Sequence, residues 1–117
     1  MLTLRKEQLD RFAADRLARF KAELAEYFQR CSYNPRAILD PDVRTFVDET
    51  VSFAISEGFT RRRSVKFFCM SCWLVPLDTL TRHANYRRLA ADKGTGEVEK
   101  AERIFELAFG EDAVHFA

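Results

Sequence analysis

A chain of 117 residues, 47% of them hydrophobic, carries enough apolar material to build one core without disulfide or metal staples, so a single domain over 1–117 is the expectation. Its 19 basic and 18 acidic residues leave a formal net charge of +1, which excludes a whole-molecule field that would select nucleic acid or an anionic membrane. Three cysteines cannot all pair within one chain, and Arg5, Lys6 and Glu7 interrupt the opening before an apolar run develops. The expectation is therefore no cleavable signal, reduced thiols and a cytoplasmic protein.

The first element is predicted from about Leu4 to Cys31, because Leu9, Phe12, Leu17, Phe20, Leu24, Tyr27 and Phe28 recur at helical spacing. Arg5, Asp15, Arg19, Glu23, Glu26 and Arg30 supply the opposite, ionic face. The mixed charge of this face favours packing on a core over lying on a membrane. Asn34-Pro35 then disfavours helix and reverses the chain. Asp40-Pro41-Asp42 reads as an N-cap, a proline at the first helical position and an acid where the helix dipole favours it. The second helix accordingly runs from about Pro41 to Glu57, with Val43, Phe46, Val47, Val51, Ala54 and Ile55 as its apolar stripe and Gly58 as a left-handed terminator.

The stretch from Gly58 to Pro76 organises the rest. Thr60 is placed to cap a third helix and Pro76 to stop it, and from Phe67 to Val75 only Ser71 is polar. A helix apolar on all sides belongs at the centre of a bundle or lends a face to a partner. At 11 residues, its nearly apolar run Phe67 to Leu77 is too short for the roughly 20 residues of a membrane span. Leu80 to Ala91 suggests a modest fourth helix with Tyr86, Leu89 and Ala90 inward. Gly94-Thr95-Gly96 reads as a turn, since it lacks the lysine and preceding strand of a phosphate loop. Val98, Ala101, Ile104, Phe105 and Ala108 make a last stripe ended by Gly110, leaving 111–117 as a loose tail unless Val114 and Phe116 dock. The predicted fold is all-α, a bundle of four or five helices around the central apolar helix.

Several residues invite a chemical reading. Cys69-Met70-Ser71-Cys72 has the spacing of a redox dithiol or half a zinc site, but it lies inside a helix among Phe68, Trp73 and Leu74, a setting that keeps thiols neutral. Zinc would need two more ligands, and only Cys31, His83 and His115 are on offer, without a second paired motif. Buried core thiols are the favoured reading, with no metal and no other cofactor. Neither histidine sits in a recognisable nucleophile or acid–base motif, so the chain reads as non-enzymatic.

Arg61-Arg62-Arg63, with Lys66 beyond, makes a basic cluster, while Glu97 to Asp112 holds six acids against Lys100 and Arg103. The three arginines oppose the dipole at the start of their helix and are expected to meet acids of Glu97 to Glu106, or acids of a partner. A nucleic-acid regulator working through Arg61 to Lys66 is the alternative; it is disfavoured because a recognition helix needs polar side chains along several turns and this one turns apolar. On the same helix Val65, Phe68, Cys72 and Val75 form one stripe, and Phe67, Met70 and Leu74 form another about 100° to 140° away. One small bundle does not obviously cover both. Phe67, Met70 and Leu74, flanked by Arg61, Arg62 and Arg63, are thus the candidate partner-binding residues, and full burial of the helix is the competing reading. An exposed second stripe implies self-association, such as a homodimer, when the partner is absent.

The opening Met1-Leu2-Thr3-Leu4-Arg5-Lys6-Glu7-Gln8-Leu9 followed by Phe12, and Gly58-Phe59-Thr60 leading to Val65, Phe68, Cys69, Cys72 and Trp73 with Asp78 beyond, resemble a family of small helical proteins encoded beside effectors in bacterial type VI secretion clusters. The resemblance covers about two thirds of the chain and implies an adaptor, or co-chaperone, that helps an effector and its chaperone load onto the secretion spike. It implies protein partners and no catalytic residues. At the positions matching Phe67 and Met70 that family commonly carries polar residues, so the apolar pair here is a departure.

Overall fold

The computed structural model describes residues 6–116, with side chains over 13–110. All regular structure among these residues is helical: α1 (Lys6–Gln29), α2 (Asp40–Ser56), α3 (Arg62–Leu74), α4 (Leu77–Arg82), α5 (Ala84–Ala91) and α6 (Glu97–Phe116). The all-α class is the one that the periodicity predicts, with six helices in place of four or five. The additional helix arises because the segment read as one helix from Leu80 to Ala91 is two. Leu80 and Tyr86 both face the core, at 1% and 3% exposure, yet positions six apart on one straight helix point roughly 120° away from each other. His83 resolves the conflict by taking an extended conformation at φ −66° and ψ 132°, and its ring nitrogen accepts from the Asn85 amide at 3.2 Å to open α5.

α3 lies at the centre. Phe68, Cys69 and Cys72 along it have no exposed surface. α2 packs antiparallel to it, pairing Phe53 with Phe68 and Phe46 with Trp73 at ring-centroid distances of 5.7 and 5.4 Å. α6 packs parallel to it, pairing Arg63 with Glu102 and Phe67 with Phe105. α1 runs antiparallel to α2, tied across by Lys21 and Asp48. Phe28 of α1 stacks on Trp73 with centroids 4.7 Å apart and meets Phe46 edge-on, so three helices share one aromatic cluster. Such pairs contribute about 0.5–1.5 kcal/mol each beyond their buried area, and Phe28→Ala, which empties the shared position, is the single change expected to cost most here.

The α2 stripe buries Val43, Val47, Val51 and Ala54 completely or nearly so, but Ile55 is 44% exposed, off the core face to which the spacing assigns it. Ala90 is likewise exposed in the last turn of the short α5, while Tyr86 is the residue of that helix that is buried. Tyr86 donates to the Glu57 carboxylate at 3.0 Å; burial first, then Glu57, hold its phenol well above the ordinary range.

Helix ends follow local chemistry in part. Gly58 takes φ 96°, with its amide bonded to the Ile55 carbonyl and the Phe59 amide to that of Ala54, both at 3.0 Å. This is the paired closure that a left-handed glycine permits, and Phe59, at 3% exposure, supplies the apolar contact that accompanies it. At the start of α2 the N-cap is Leu39, without a side-chain cap bond, and Asp40 is the first helical residue. Asp40 and Asp42 act there through the dipole, a correction to the capping role expected of Asp40. Gly110 does not end α6: it keeps helical backbone, and the helix continues to Phe116. Whether Val114 and Phe116 dock falls outside the described side chains. No described helix is long and apolar enough to cross a membrane.

Candidate functional site

The start of α3 places three arginines, the N-cap Arg61 and then Arg62 and Arg63, where helix amides already present positive charge, a conflict that local sequence cannot relieve. Tertiary structure relieves it. Glu97, the first residue of α6, accepts from the backbone amides of Thr60 and Arg61 at 2.6 Å each, from the Thr60 hydroxyl at 3.1 Å and from the buried Ser64 hydroxyl at 2.5 Å. Partial burial raises the Glu97 carboxyl, but these bonds outweigh it and hold the group below the ordinary carboxylate value. Thr60 is therefore not the cap that its position suggests; the N-cap is Arg61 and the acceptor comes from α6, 37 residues on.

The arginines separate. Arg63 meets Glu102 at 3.2 Å and lies over the Phe67 ring at 5.7 Å, in line with an acid between Glu97 and Glu106. Arg62 turns the other way to Glu23 of α1 and over Phe20 at 5.3 Å. Arg61 is exposed and meets Glu97 through its amide. Lys66 sits 4.6 Å over Tyr27. Arg62, Arg63 and Lys66 thus bind α3 to its flanking helices, and no polar ladder extends beyond them on which base edges could be read.

α6 lies along the second stripe of α3. Leu74 is 9% exposed and Phe67 and Met70 are half-buried, Phe67 against Phe105. The structure does not leave this stripe bare: Phe105 covers Phe67, and Met70 and Leu74 become the floor of a groove. Tyr27, Cys31 and Tyr33 form one wall, Phe105 and Phe109 the other, and Met70, Trp73 and Leu74 lie beneath, around a cavity of about 140 Å³. Tyr27 and Tyr33 are each 41% exposed and Phe109 is 58% exposed. Tyr27 is thus not in the core, although its spacing on α1 assigns it there. The groove is positioned from below: the Trp73 indole donates to the Tyr33 carbonyl at 2.7 Å, and Cys31 donates to the same carbonyl at 3.3 Å. Arg36, in the connection before α2, donates to the Cys72 carbonyl at 2.6 Å, which satisfies a terminal acceptor of α3. The groove presents aromatic side chains with little polar chemistry between them.

Phe109 was legible in principle. It follows Phe105 by four residues and so extends the Val98–Phe105 edge of the α6 stripe, a further large apolar position that helical spacing alone brings out. Cys31 and Tyr33 lie past the end of α1 and carry no periodic signal.

Cys69 and Cys72 are fully buried, as the apolar setting suggests. Burial pushes the Cys69 thiol up to about 11, with a hydrogen bond to Thr50 opposing, and burial and then Cys69 push Cys72 higher while Arg36 opposes. Thiols held neutral in this way are poor nucleophiles. The Gly94 turn is closed by Asp92, which accepts from the Gly94 amide at 2.9 Å and from the Thr95 hydroxyl at 2.6 Å. His83 serves the start of α5, and the side chain of His115 lies outside the described residues.

No family model matches the chain, and comparison with characterised proteins and with solved structures gave no match.

Proposed function

We propose that this protein is a non-enzymatic, cytoplasmic adaptor that binds another protein through the groove between α1, α3 and α6, and that it assists a type VI secretion effector and its chaperone toward the secretion spike. The observation that carries the binding role is the groove itself: Phe109, Tyr27 and Tyr33 stand exposed around the apolar floor of Met70 and Leu74. Rigid aromatics around a pocket are the residues that protein interfaces enrich and that dominate their energetics. The secretion context is supported by the resemblance of the opening residues and of the segment from Gly58 to Asp78.

The test is co-expression with the effector and chaperone encoded beside the gene, followed by affinity capture. Wild type retains a partner; Phe109→Ala combined with Tyr27→Ala loses most of it, with only a small shift of the circular dichroism melt, because both side chains are largely exposed. Sedimentation of the wild type alone is expected to show concentration-dependent association that the same double variant removes. Capture unaffected by the double variant overturns the groove as the binding face, and no capture of either neighbour overturns the secretion role.

A further inference from the structure

We infer that a second cleft, distinct from the aromatic groove, is a docking site for an acidic amphipathic helix of a partner protein. It lies between the middle of α1 and the facing residues of α2 and α3, with a volume of about 570 Å³. Val51 and Val65 form its deep floor, with Leu17, Phe20 and Ile55 on the sides; Ile55 is the exposed isoleucine that the core leaves unused. The rim carries Arg16 and Arg19 from α1 and Arg62 from α3 against a single carboxylate, Glu23, which Arg62 already engages. Apolar floor and basic rim together specify an occupant with an apolar stripe and acidic flanks.

The shape selects a helix. The α1 side of the cleft runs from Arg16 to Glu23, eight residues or roughly 10 Å at helical rise, matching about two turns of a second helix laid beside it. Arg16 and Arg19 are three apart on one face, spaced to meet carboxylates three or four apart on the occupant. Arginine in particular suits this role, since its planar fork pairs bidentately with carboxylate. This site lies on the opposite end of α3 from Met70 and Leu74 and does not depend on the adaptor reading; with it, one chain could hold two segments at once.

The test uses full-length, isotope-labelled protein and a synthetic helix-forming peptide of about 20 residues with leucine on one face and glutamate on the other. The peptide is expected to shift the amides of Leu17, Phe20, Ile55 and Val65, to bind more weakly as salt is raised, and to lose roughly tenfold or more in Arg16→Glu/Arg19→Glu, where like charges face each other. Those arginines are exposed, so the fold should hold; Ile55→Asp, also on the surface, tests the apolar wall of the cleft separately. Phe109→Ala should leave this binding unchanged, which separates it from the aromatic groove. Equal binding of the same peptide with lysine for glutamate, shifts confined to the Phe109 groove, or no loss in the charge-reversed variant each overturn the proposal. Binding of phosphatidylglycerol vesicles in place of the peptide overturns it in favour of a lipid surface.

Discussion

The carboxylate of Glu97, at the start of α6, accepts from the hydroxyl of Ser64, a side chain with no exposed surface in the first turn of α3. This bond joins the N-termini of two parallel helices that lie more than thirty residues apart in the chain, and it places one negative charge where both dipoles favour it.

Replacing Glu97 by alanine removes the acceptor of the Thr60 and Arg61 amides and leaves the Ser64 hydroxyl only the Arg61 carbonyl, at 3.1 Å. We expect a loss of about 1–3 kcal/mol in urea unfolding near neutral pH, with Glu97→Gln losing less because an amide oxygen still accepts. The folded carboxyl lies below its ordinary value of 4.5, so its contribution is present above that value and disappears as pH falls through the lowered one. The stability gap between wild type and Glu97→Gln should therefore narrow in acid. A constant gap down to the acid transition would show that the charge is irrelevant and only the bond geometry matters.

The paired cysteines are packing residues in this structure. Cys69→Ala with Cys72→Ala is expected to cost roughly 1–2 kcal/mol per site from lost contacts, while partner capture survives. In the native wild type, a thiol reagent should label Cys31 well before the other two, which react only on unfolding because burial keeps them neutral and out of reach. Rapid labelling of all three in folded protein would contradict the burial.

Phe67 and Phe109 separate folding from binding. Phe67→Ala with Met70→Ala removes half-buried side chains beneath α6 and should cost about 2–4 kcal/mol of stability. Phe109→Ala should cost about 1 kcal/mol or less in folding, yet about 2 kcal/mol or more in partner binding if it is an anchor. Thermal melts beside titration with the partner distinguish the two; a large melting shift in Phe109→Ala would place that ring in the core.

Ala37 holds φ 53° in the turn closed by its amide to the Asn34 carbonyl, a conformation that costs a residue with a Cβ about 1–2 kcal/mol. Asn34 braces the turn, donating to the Ile38 carbonyl at 2.8 Å and accepting from the Ile38 amide at 3.0 Å. Ala37→Gly should raise stability by about 0.5–1 kcal/mol after the unfolded chain's added freedom is deducted. A melting temperature below wild type would mean that the turn does not require the left-handed geometry.

Much of this architecture follows from the chain read residue by residue. Helical spacing set the apolar stripes of α2, α3 and α6, and Gly58 was readable as a terminator because only its own backbone freedom is involved. The burial of Cys69 and Cys72 was readable because the residues beside them in the helix are apolar. What depended on distant residues was not readable. The break at His83 comes from two inward anchors, Leu80 and Tyr86, that no single helical face accommodates. The cap of α3 belongs to Glu97 and not Thr60, since an acceptor brought by another helix is invisible in local sequence. Periodicity likewise found two apolar stripes on α3, but only the parallel docking of α6 decided that Phe67 would be covered by Phe105 while Met70 and Leu74 were left as the floor of a groove. An apolar stripe states that a surface should leave water; which surface covers it, and how completely, is settled by where the neighbouring helices can reach.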